Sequence, residues 1–223
     1  MLAIINQRLG TWQNLVPLSC FALGMLLFRI QFLEIDPRAE LFHISIGQLF
    51  LFLGWNLFLA WVPLLLLALL RRFQPSRWAA LPIIGLWFLF FPNAPYLITD
   101  LVHLRPRPGV PLWYDATMLF SYALLGLLIA VQALREMRTY LLTHVSRLWA
   151  NGFIAFTILL SGLGVYLGRV ERWNSWDVFY DPLGPVYDTL RIISTPAAHA
   201  QAWLMMMVVT GLVGSCYWWG RRV

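Results

Sequence analysis

Six apolar segments run through the sequence, and they constrain the fold more than any other feature. A helix needs about 20 apolar residues to cross the roughly 30 Å hydrocarbon core of a bilayer. Of the 223 residues, 60% are hydrophobic and 12% are charged, whereas about 25% are charged in an average soluble domain. The sequence therefore predicts an all-α membrane protein, a single polytopic domain over residues 1–223 with a bundle of about six transmembrane helices. The predicted segments are 12–33, 44–70, 78–98, 113–134, 149–168 and 199–219.

The third segment carries two prolines in the stretch FPNAPYLITDLVHL, residues 91–104. A proline lacks the backbone N–H and disrupts the helical bond to the carbonyl four residues earlier. Pro92 and Pro95 are therefore expected to free the carbonyls of Phe88 and Phe91. Freed carbonyls are tolerated at membrane depth only where protein or a water-filled cavity surrounds them. We predict that the third helix breaks here and faces a polar pocket.

The distribution of arginine predicts the orientation of the chain. All 16 lysine or arginine positions are arginine, and the formal net charge is +6. Because the arginines sit at the ends of apolar segments, they indicate a membrane surface and not a nucleic-acid partner. Nine lie on the side that holds both termini and seven on the other side. Arg71, Arg72 and Arg77 crowd one short loop of the first side, which predicts that both termini are cytoplasmic.

The acidic residues are distributed more unevenly than the arginines. Nine of the ten lie on the predicted outer side, and Glu136 is the exception. Carboxylates contribute little to orientation, so this distribution is not a topology signal. It either marks the outer face as the functional face or reflects an outer surface that is simply acidic.

Several isolated residues favour packing over chemistry. Arg29, near the outer end of the first segment, is expected to extend its stem along the helix and place its charge at the interface. Gly164 and Gly168 form a small-xxx-small pair, which allows close helix packing either within the chain or in a dimer. Cys20 and Cys216 fall inside apolar segments and are expected to be buried free thiols.

The last outer loop, 169–199, is predicted to contain a short interfacial helix. In the stretch 183–194, Val186, Leu190 and Ile193 share one helical face while the polar residues point away. This pattern suits a helix that lies in the membrane interface or caps the bundle from outside.

Three stretches at the outer ends of segments carry the candidate site residues. They are 91–104 after the third segment, WYD at the start of the fourth, and RVERWNSWD after the fifth. We predict that their polar side chains line one pocket at the outer interface, with Arg172 as the nearest cation for a carboxylate. The candidate catalytic residues are Asp100, His103, Asp115 and Asp177, and the candidate substrate-binding residues are Asn93, Tyr96, Arg169, Arg172 and Asn174.

The spacing of Asp100 and His103 raises the question of a metal. Residues three apart share a helix face, and the pair resembles half of the Glu-x-x-His sites of helical carboxylate metalloproteins. Asp115 and Asp177 are residues that would complete such a site. A helix cap beside a solvated imidazole explains the same pair more simply, so we predict neither a metal nor another cofactor.

The same three stretches resemble those of a bacterial integral-membrane family known as domain of unknown function 1361. The resemblance covers the chain from about Trp78 to Asp188, and the PNAPY motif followed by TDL carries most of it. It implies a multi-pass protein of the bacterial inner membrane and implies no reaction.

Three classes of function remain open from the sequence. An accessory or assembly component of a membrane complex needs only helices, grooves and a polar outer surface, with the bilayer and other membrane proteins as its partners. A membrane-embedded enzyme would act at the outer interface on a lipid-linked or phosphorylated substrate, with an aspartate as general base. A small transporter would use the broken helix, although the centres of the segments hold few ionisable residues.

Overall fold

The computed structural model describes residues 12, 14–35, 50–107 and 109–219. Within these ranges the regular structure is helical and no β-strand is formed. Residues 44–49, where the second segment was predicted to begin, lie outside the described part of the chain, as do both termini. The cytoplasmic location of both termini stays a prediction.

The described chain contains helices of very different lengths. A 3-10 helix, Leu97–His103, directly follows the short α-helix Asn93–Tyr96. A π-helical turn, Leu167–Glu171, directly follows the α-helix Arg147–Tyr166. Two further 3-10 turns are Asp177–Phe179 and Pro196–His199. In chain order the α-helices are α1 (Leu15–Ile35), α2 (Leu51–Phe73), α3 (Arg77–Phe90), α4 (Asn93–Tyr96), α5 (Leu112–Leu141), α6 (Arg147–Tyr166), α7 (Leu183–Ser194) and α8 (Ala200–Trp219).

Five segments of the described chain are long and apolar enough to cross a membrane, so the protein is a multi-pass membrane protein. α1 adds a shorter apolar stretch, Leu15–Gln31. The helical membrane class is confirmed, and the count of six spans stays a prediction. The five segments are Leu51–Phe73, Arg77–His103, Leu112–Leu141, Arg147–Glu171 and Pro196–Trp219.

α5 is the central helix of the bundle. In its apolar window 67% of the residues are buried inside the protein, against 44% or fewer in the other four segments. It packs against α1, α2, α4, α6, α8 and the 3-10 helix Leu97–His103. The other long helices surround α5 and expose large apolar side chains on their outer faces, as expected where the surroundings are lipid. The fully buried side chains of α5 include Met118, Leu119, Tyr122, Leu125, Ile129 and Met137.

The helix type changes at residues 91–96, which contain Pro92 and Pro95 and which we call the proline stretch. Regular α-helix ends at Phe90, residues 91 and 92 form a turn, and α4 leads into the 3-10 helix. The Phe91 carbonyl, which we expected to be free, accepts a bond from the Ala94 N–H at 3.1 Å. Because Arg77–His103 as a whole is long and apolar enough for one span, a true break of the helix remains a prediction.

Side chains replace backbone donors around the prolines. Asn93 Nδ2 donates to the Phe90 carbonyl at 2.9 Å and to Ser175 Oγ at 2.9 Å. Ser175 Oγ in turn donates to the Leu89 carbonyl at 3.2 Å. Two carbonyls of the last α3 turn are thus satisfied by side chains, one of them from the loop after α6, as buried backbone groups require.

A glycine on α5 allows close contact with the proline stretch. A Cβ atom at Gly126 would collide with the Ala94 carbonyl oxygen and would lie 2.7 Å from Leu97 Cβ. Only hydrogen fits there, so α5 meets the backbone of α4 directly. This contact positions the start of the 3-10 helix against the central helix.

The glycine pair on α6 packs within the chain. A Cβ atom at Gly164 would lie 2.6 Å from Pro92 Cγ, and one at Gly168 would lie 3.3 Å from the Tyr96 ring. Both glycines therefore face the proline stretch. Of the two interpretations of the small-xxx-small pair, the structure shows packing inside one chain.

The prediction that Cys20 and Cys216 are buried was wrong. Cys20 is exposed and Cys216 is partly exposed. Consecutive residues of a helix are about 100° apart, given 3.6 residues per turn. Ser19 and Ala22 take the buried face of α1, so Cys20 points outward among its apolar neighbours.

We predict that Gly126→Ala destabilises the protein, because its new methyl group must displace the backbone of α4. Overpacking of this kind costs about 1–3 kcal/mol. Gly152→Ala is the matched control, since no heavy atom lies within 4 Å of its Cβ position and alanine is up to about 1 kcal/mol better than glycine in a helix. Thermal unfolding of the purified variants in detergent measures the difference. Equal midpoints for the two variants would contradict the close contact.

Candidate functional site

One end of the bundle collects most of the predicted site residues. Side-chain contacts join the last turns of α1, the first turns of α2 and α5, the 3-10 helix Leu97–His103 and the end of α6. We call this the Asp100 end. The opposite end, where α2 and α5 finish and α3 and α6 begin, is called the Arg71 end.

The Asp100 cluster is built around a fully buried carboxylate. Asp100 has 0% of its surface exposed, and Arg169 Nη2 donates to its Oδ1. Asn56 Nδ2 on α2 donates to the other oxygen at 3.1 Å. The Arg169 guanidinium also donates to Thr99 Oγ1 at 2.8 Å and lies 4.3 Å from the centroid of the Tyr96 ring. Both charges are therefore neutralised and hydrogen-bonded, as burial in low dielectric requires.

Arg169 reaches Asp100 because α6 ends in a π-helical turn. Leu167–Glu171 has the wider π geometry, and the Trp173 N–H bonds back to the Leu167 carbonyl at 3.0 Å. Such turns are rare and occur often at functional sites. Arg172 follows with φ 64°, in the left-handed region, and ends the helix.

The Asp115 cluster pairs one carboxylate with two arginines. Arg29 Nε lies 2.6 Å from Asp115 Oδ1 and its Nη2 lies 3.2 Å from Oδ2, a bidentate arrangement. Arg107 Nη1 lies 3.5 Å from the same Oδ2. Both guanidinium carbons are 4.4 Å from the centroid of the Phe50 ring, which adds cation–π attraction. Phe50 itself has φ 55°, a strained backbone for an aromatic residue.

The charge balance differs between the two clusters. In the Asp100 cluster one arginine meets one carboxylate, whereas in the Asp115 cluster two arginines meet one carboxylate. Burial lowers the pKa of the Arg107 guanidinium, and the charge of Asp115 opposes that shift. An arginine starts from a value so high that Arg107 stays charged at neutral pH. Within the described residues, the Asp115 cluster thus sets two guanidinium groups against one carboxylate.

His103 connects the two clusters. Its ring Nε2 lies 3.2 Å from Arg169 Nη1, and its carbonyl accepts a bond from Arg107 Nη2 at 3.0 Å. Because arginine only donates, the contact requires Nε2 to act as an acceptor, which is the neutral imidazole. The Phe52 ring packs on the imidazole at a centroid distance of 4.8 Å. Asp100 and Asp115 thus belong to one continuous polar network.

The remaining candidates lie in other surroundings. Asn93 bonds to Ser175 and to the α3 carbonyl, so its amide supports the backbone. Asp177 Oδ2 accepts bonds from the backbone and side-chain amides of Asn174 at 2.7 and 3.0 Å. That is a local turn at the start of a short 3-10 helix. The described contacts of Asp177 therefore do not bring it to Asp100 or Asp115.

Two expectations about arginine were wrong. Arg172 is exposed, and the partner of Asp100 is Arg169. Arg29 was expected to extend towards the interface, but it has 0% of its surface exposed and binds Asp115. In both cases tertiary packing decides the pair: it brings Arg169 to Asp100 and Arg29 to Asp115, whereas Arg172 ends the helix in the left-handed region.

Sequence reasoning missed Asn56, Phe50 and Arg107. Asn56 interrupts the apolar run LFLGWNLFLAW, and a polar residue inside a span is by default a candidate for a functional or pairing role. The same rule applied to Arg29 indicates a buried partner. Nothing in the sequence pattern pointed to Phe50, whose role depends on two arginines from distant segments.

The structure also bears on metal binding. Among the described residues, no group of three or more His, Cys, Asp or Glu side chains is placed to hold a metal ion. Asp100 and His103 do lie close together, but each of them contacts the guanidinium of Arg169.

These features define a class: a multi-pass helical membrane protein with a paired arginine–carboxylate network buried at one end. The chain belongs to the family described as "Protein of unknown function (DUF1361)", which matches residues 55–216. The resemblance seen in the sequence from Trp78 to Asp188 falls inside this match, whereas α1 and its Arg29 precede it. No match was found among curated proteins or among solved structures.

We predict that Arg169→Met destabilises the protein by about 3–5 kcal/mol, because it leaves the Asp100 carboxylate buried without its charge partner. Adding Asp100→Asn should restore most of the loss, since an amide can still accept the Asn56 bond. Arg172→Met is the matched control three residues further on, and its effect should stay within about 0.5 kcal/mol. Thermal unfolding in detergent compares the three variants. If Arg169→Met unfolds at the temperature of Arg172→Met, the cluster does not hold the fold together.

Proposed function

We propose that the protein is an accessory or assembly component of a membrane complex, with other membrane proteins and the bilayer as its partners. The observation that carries this proposal is the internal pairing of the candidate site. Asp100 is bonded by Arg169 and Asn56, and Asp115 by Arg29 and Arg107.

Pairing of this kind favours a structural role over catalysis. A general base must be within reach of the proton that it abstracts, either directly or through one water. Asp100 and Asp115 are 0% and 1% exposed, and hydrogen bonds from Asn56 and the arginines already occupy their carboxylate oxygens. A buried, satisfied network fixes the relative positions of helices, which an assembly component needs.

The Asp100 end also presents a surface suited to a partner. α7 contacts the bundle through its buried Ile192 and through Asp188, which accepts a bond from Trp173 Nε1 at 2.8 Å. The exposed Arg191 lies 3.2 Å from Glu171. The apolar α7 residues Val186, Leu190 and Ile193 are exposed, and 60% of the Leu190 surface is accessible. Such a face fits the membrane interface or a neighbouring subunit, and an extended apolar patch of this kind marks an interaction site.

An enzyme that acts on a lipid-linked or phosphorylated substrate at the outer interface is the second candidate. The observation that favours it is the concentration of guanidinium groups at Asp115, where Arg29 and Arg107 lie next to the exposed Arg105. Guanidinium groups bind phosphate through paired N–H donors. In this proposal Asp100, His103, Asp115 or Asp177 supplies the general base. The substrate contacts are proposed to come from Asn93, Tyr96, Arg169, Arg172 and Asn174.

A transporter is the third candidate and has less support. A broken helix is typical of transporter sites, and the change of helix type at the proline stretch is compatible with one. Within the described residues, however, the ion pairs lie at the two ends of the bundle. No charged pathway links them there.

We further propose that residues 1–223 form one polytopic unit of the bacterial inner membrane, with six spans, a broken third helix and both termini cytoplasmic. The support is the arginine density of the loop between α2 and α3. Arg71, Arg72 and Arg77 lie close together there, and Glu136 is the acidic residue that pairs with Arg71. In this proposal the Asp100 end lies on the outer face.

Reporter fusions test the orientation. A cytoplasmic reporter should be active when fused after Arg77 and inactive after Asp177, and a reporter active only outside should give the reverse. The basis is the retention of arginine-rich short loops in the cytoplasm. An Arg77 fusion that reports outside would invert the proposed topology.

A substitution on α7 tests the accessory role. Extracted in mild detergent, the wild-type chain should migrate in a complex larger than one chain with its detergent. Leu190→Ser should shift it towards the monomer, because an interface core loses its apolar contacts. Leu148→Ser is the matched control, because Leu148 is 80% exposed and lies at the start of α6, at the Arg71 end. A wild-type chain that already migrates alone would count against an assembly role.

A further inference from the structure

An apolar groove lies at the Arg71 end, far from the candidate site. Its volume is about 700 Å³, and it is lined by the first two turns of α3 and α6 and by the end of α5 with the loop that follows. Sites for small molecules commonly have volumes of about 300–1,000 Å³. The groove is therefore large enough for a ligand, although none of the predicted site residues contributes to it.

The polarity of the groove changes along its length. Arg77 and His144 line it near the ends of the helices, whereas Ile84 and Phe153 line it deeper in the bundle. Seven residues of helix separate Arg77 from Ile84, a rise of roughly 10 Å at 1.5 Å per residue. A ligand that fits this gradient has a polar head and an apolar tail.

The net positive charge at the Arg71 end favours a ligand with an anionic head. Six arginines and one glutamate occupy these helix ends among the described residues, which gives +5 from six minus one. Arg71 pairs with Glu136, and Arg138 bonds to Asn151. Arg77, in contrast, is exposed and forms no hydrogen bond or ion pair within the described part of the chain. The six arginines are Arg71, Arg72, Arg77, Arg135, Arg138 and Arg147.

Two tryptophans place the mouth of the groove at the level of lipid headgroups. Trp78 and Trp149 line the groove and are 83% and 74% exposed. Tryptophan is enriched at membrane interfaces because its ring is apolar and its N–H is polar. The groove thus opens where phosphates lie and extends into the region of the acyl chains.

We propose that this groove binds one anionic phospholipid, with an acyl chain along Ile84 and Phe153 and the phosphate at Arg77. A partner helix fits less well, because a span needs about 20 residues of apolar contact and the groove covers two turns of each wall. The proposal does not depend on the function proposed above, since it concerns the opposite end of the bundle.

Native mass spectrometry of the full chain in detergent tests the proposal. Dioleoylphosphatidylglycerol and dioleoylphosphatidylcholine are the two probes. The wild-type chain should carry one bound phosphatidylglycerol, favoured about fivefold or more over phosphatidylcholine, the preference expected from one arginine near an anionic headgroup. Arg77→Gln should remove this preference. Ile84→Trp, which fills the apolar part, should reduce the binding of both lipids.

Arg147→Gln is the matched control, because Arg147 is exposed at the same end but does not line the groove. It should keep the preference. Thermal unfolding verifies that each variant is folded. Equal binding of the two lipids would overturn the proposal, because the groove would then not recognise the anionic headgroup. An equal loss of the preference in Arg77→Gln and Arg147→Gln would also overturn it, because it would show only diffuse charge attraction. Binding that Ile84→Trp leaves intact, or a dimer signal that Ile84→Trp abolishes, would overturn it as well.

Discussion

The free-energy cost of an unpaired charge in a low-dielectric environment determines how the helices pack at the Asp100 end of the protein. Asp100 and Asp115 are almost fully buried, and a buried carboxylate is tolerated only when it is paired and hydrogen-bonded. Their partners come from different segments: Arg169 from the end of α6, Asn56 from α2, Arg29 from α1 and Arg107 from the loop before α5. Satisfying two carboxylates thereby fixes the relative positions of the helices around α5.

The requirement that buried polar groups be hydrogen-bonded also applies to the backbone of the proline stretch. Asn93 and Ser175 bond the carbonyls that α3 leaves without a regular partner. Gly126 and Gly164 let two helices contact the stretch without side chains between them. The stretch is thus packed from two sides, which positions Asp100, four residues beyond it, for its ion pair.

The sequence allowed prediction of the apolar spans, the α7 helix and most of the residues that carry charge at the Asp100 end. These follow from composition and from periodicity, which are local properties. The choice between Arg169 and Arg172 did not follow, because it depends on a π-helical turn and a left-handed residue that end α6. The burial of Arg29 depends on Asp115, 86 residues away, and only tertiary packing decides such a pairing. The exposure of Cys20 likewise depends on which face of α1 the rest of the bundle covers.

The long sequence separation within the ion pairs has a consequence for biosynthesis. Ribosomes add about 5–20 residues per second, so the Asp115 carboxylate is made roughly 4–17 s after Arg29, which precedes it by 86 residues. Asp100 likewise precedes Arg169 by 69 residues. During that interval Arg29 and Asp100 lack the partners described here, Asp115 and Arg169. These ion pairs form only after α5 and α6 have been made, so the packing of the first half of the chain at the Asp100 end is completed late in synthesis.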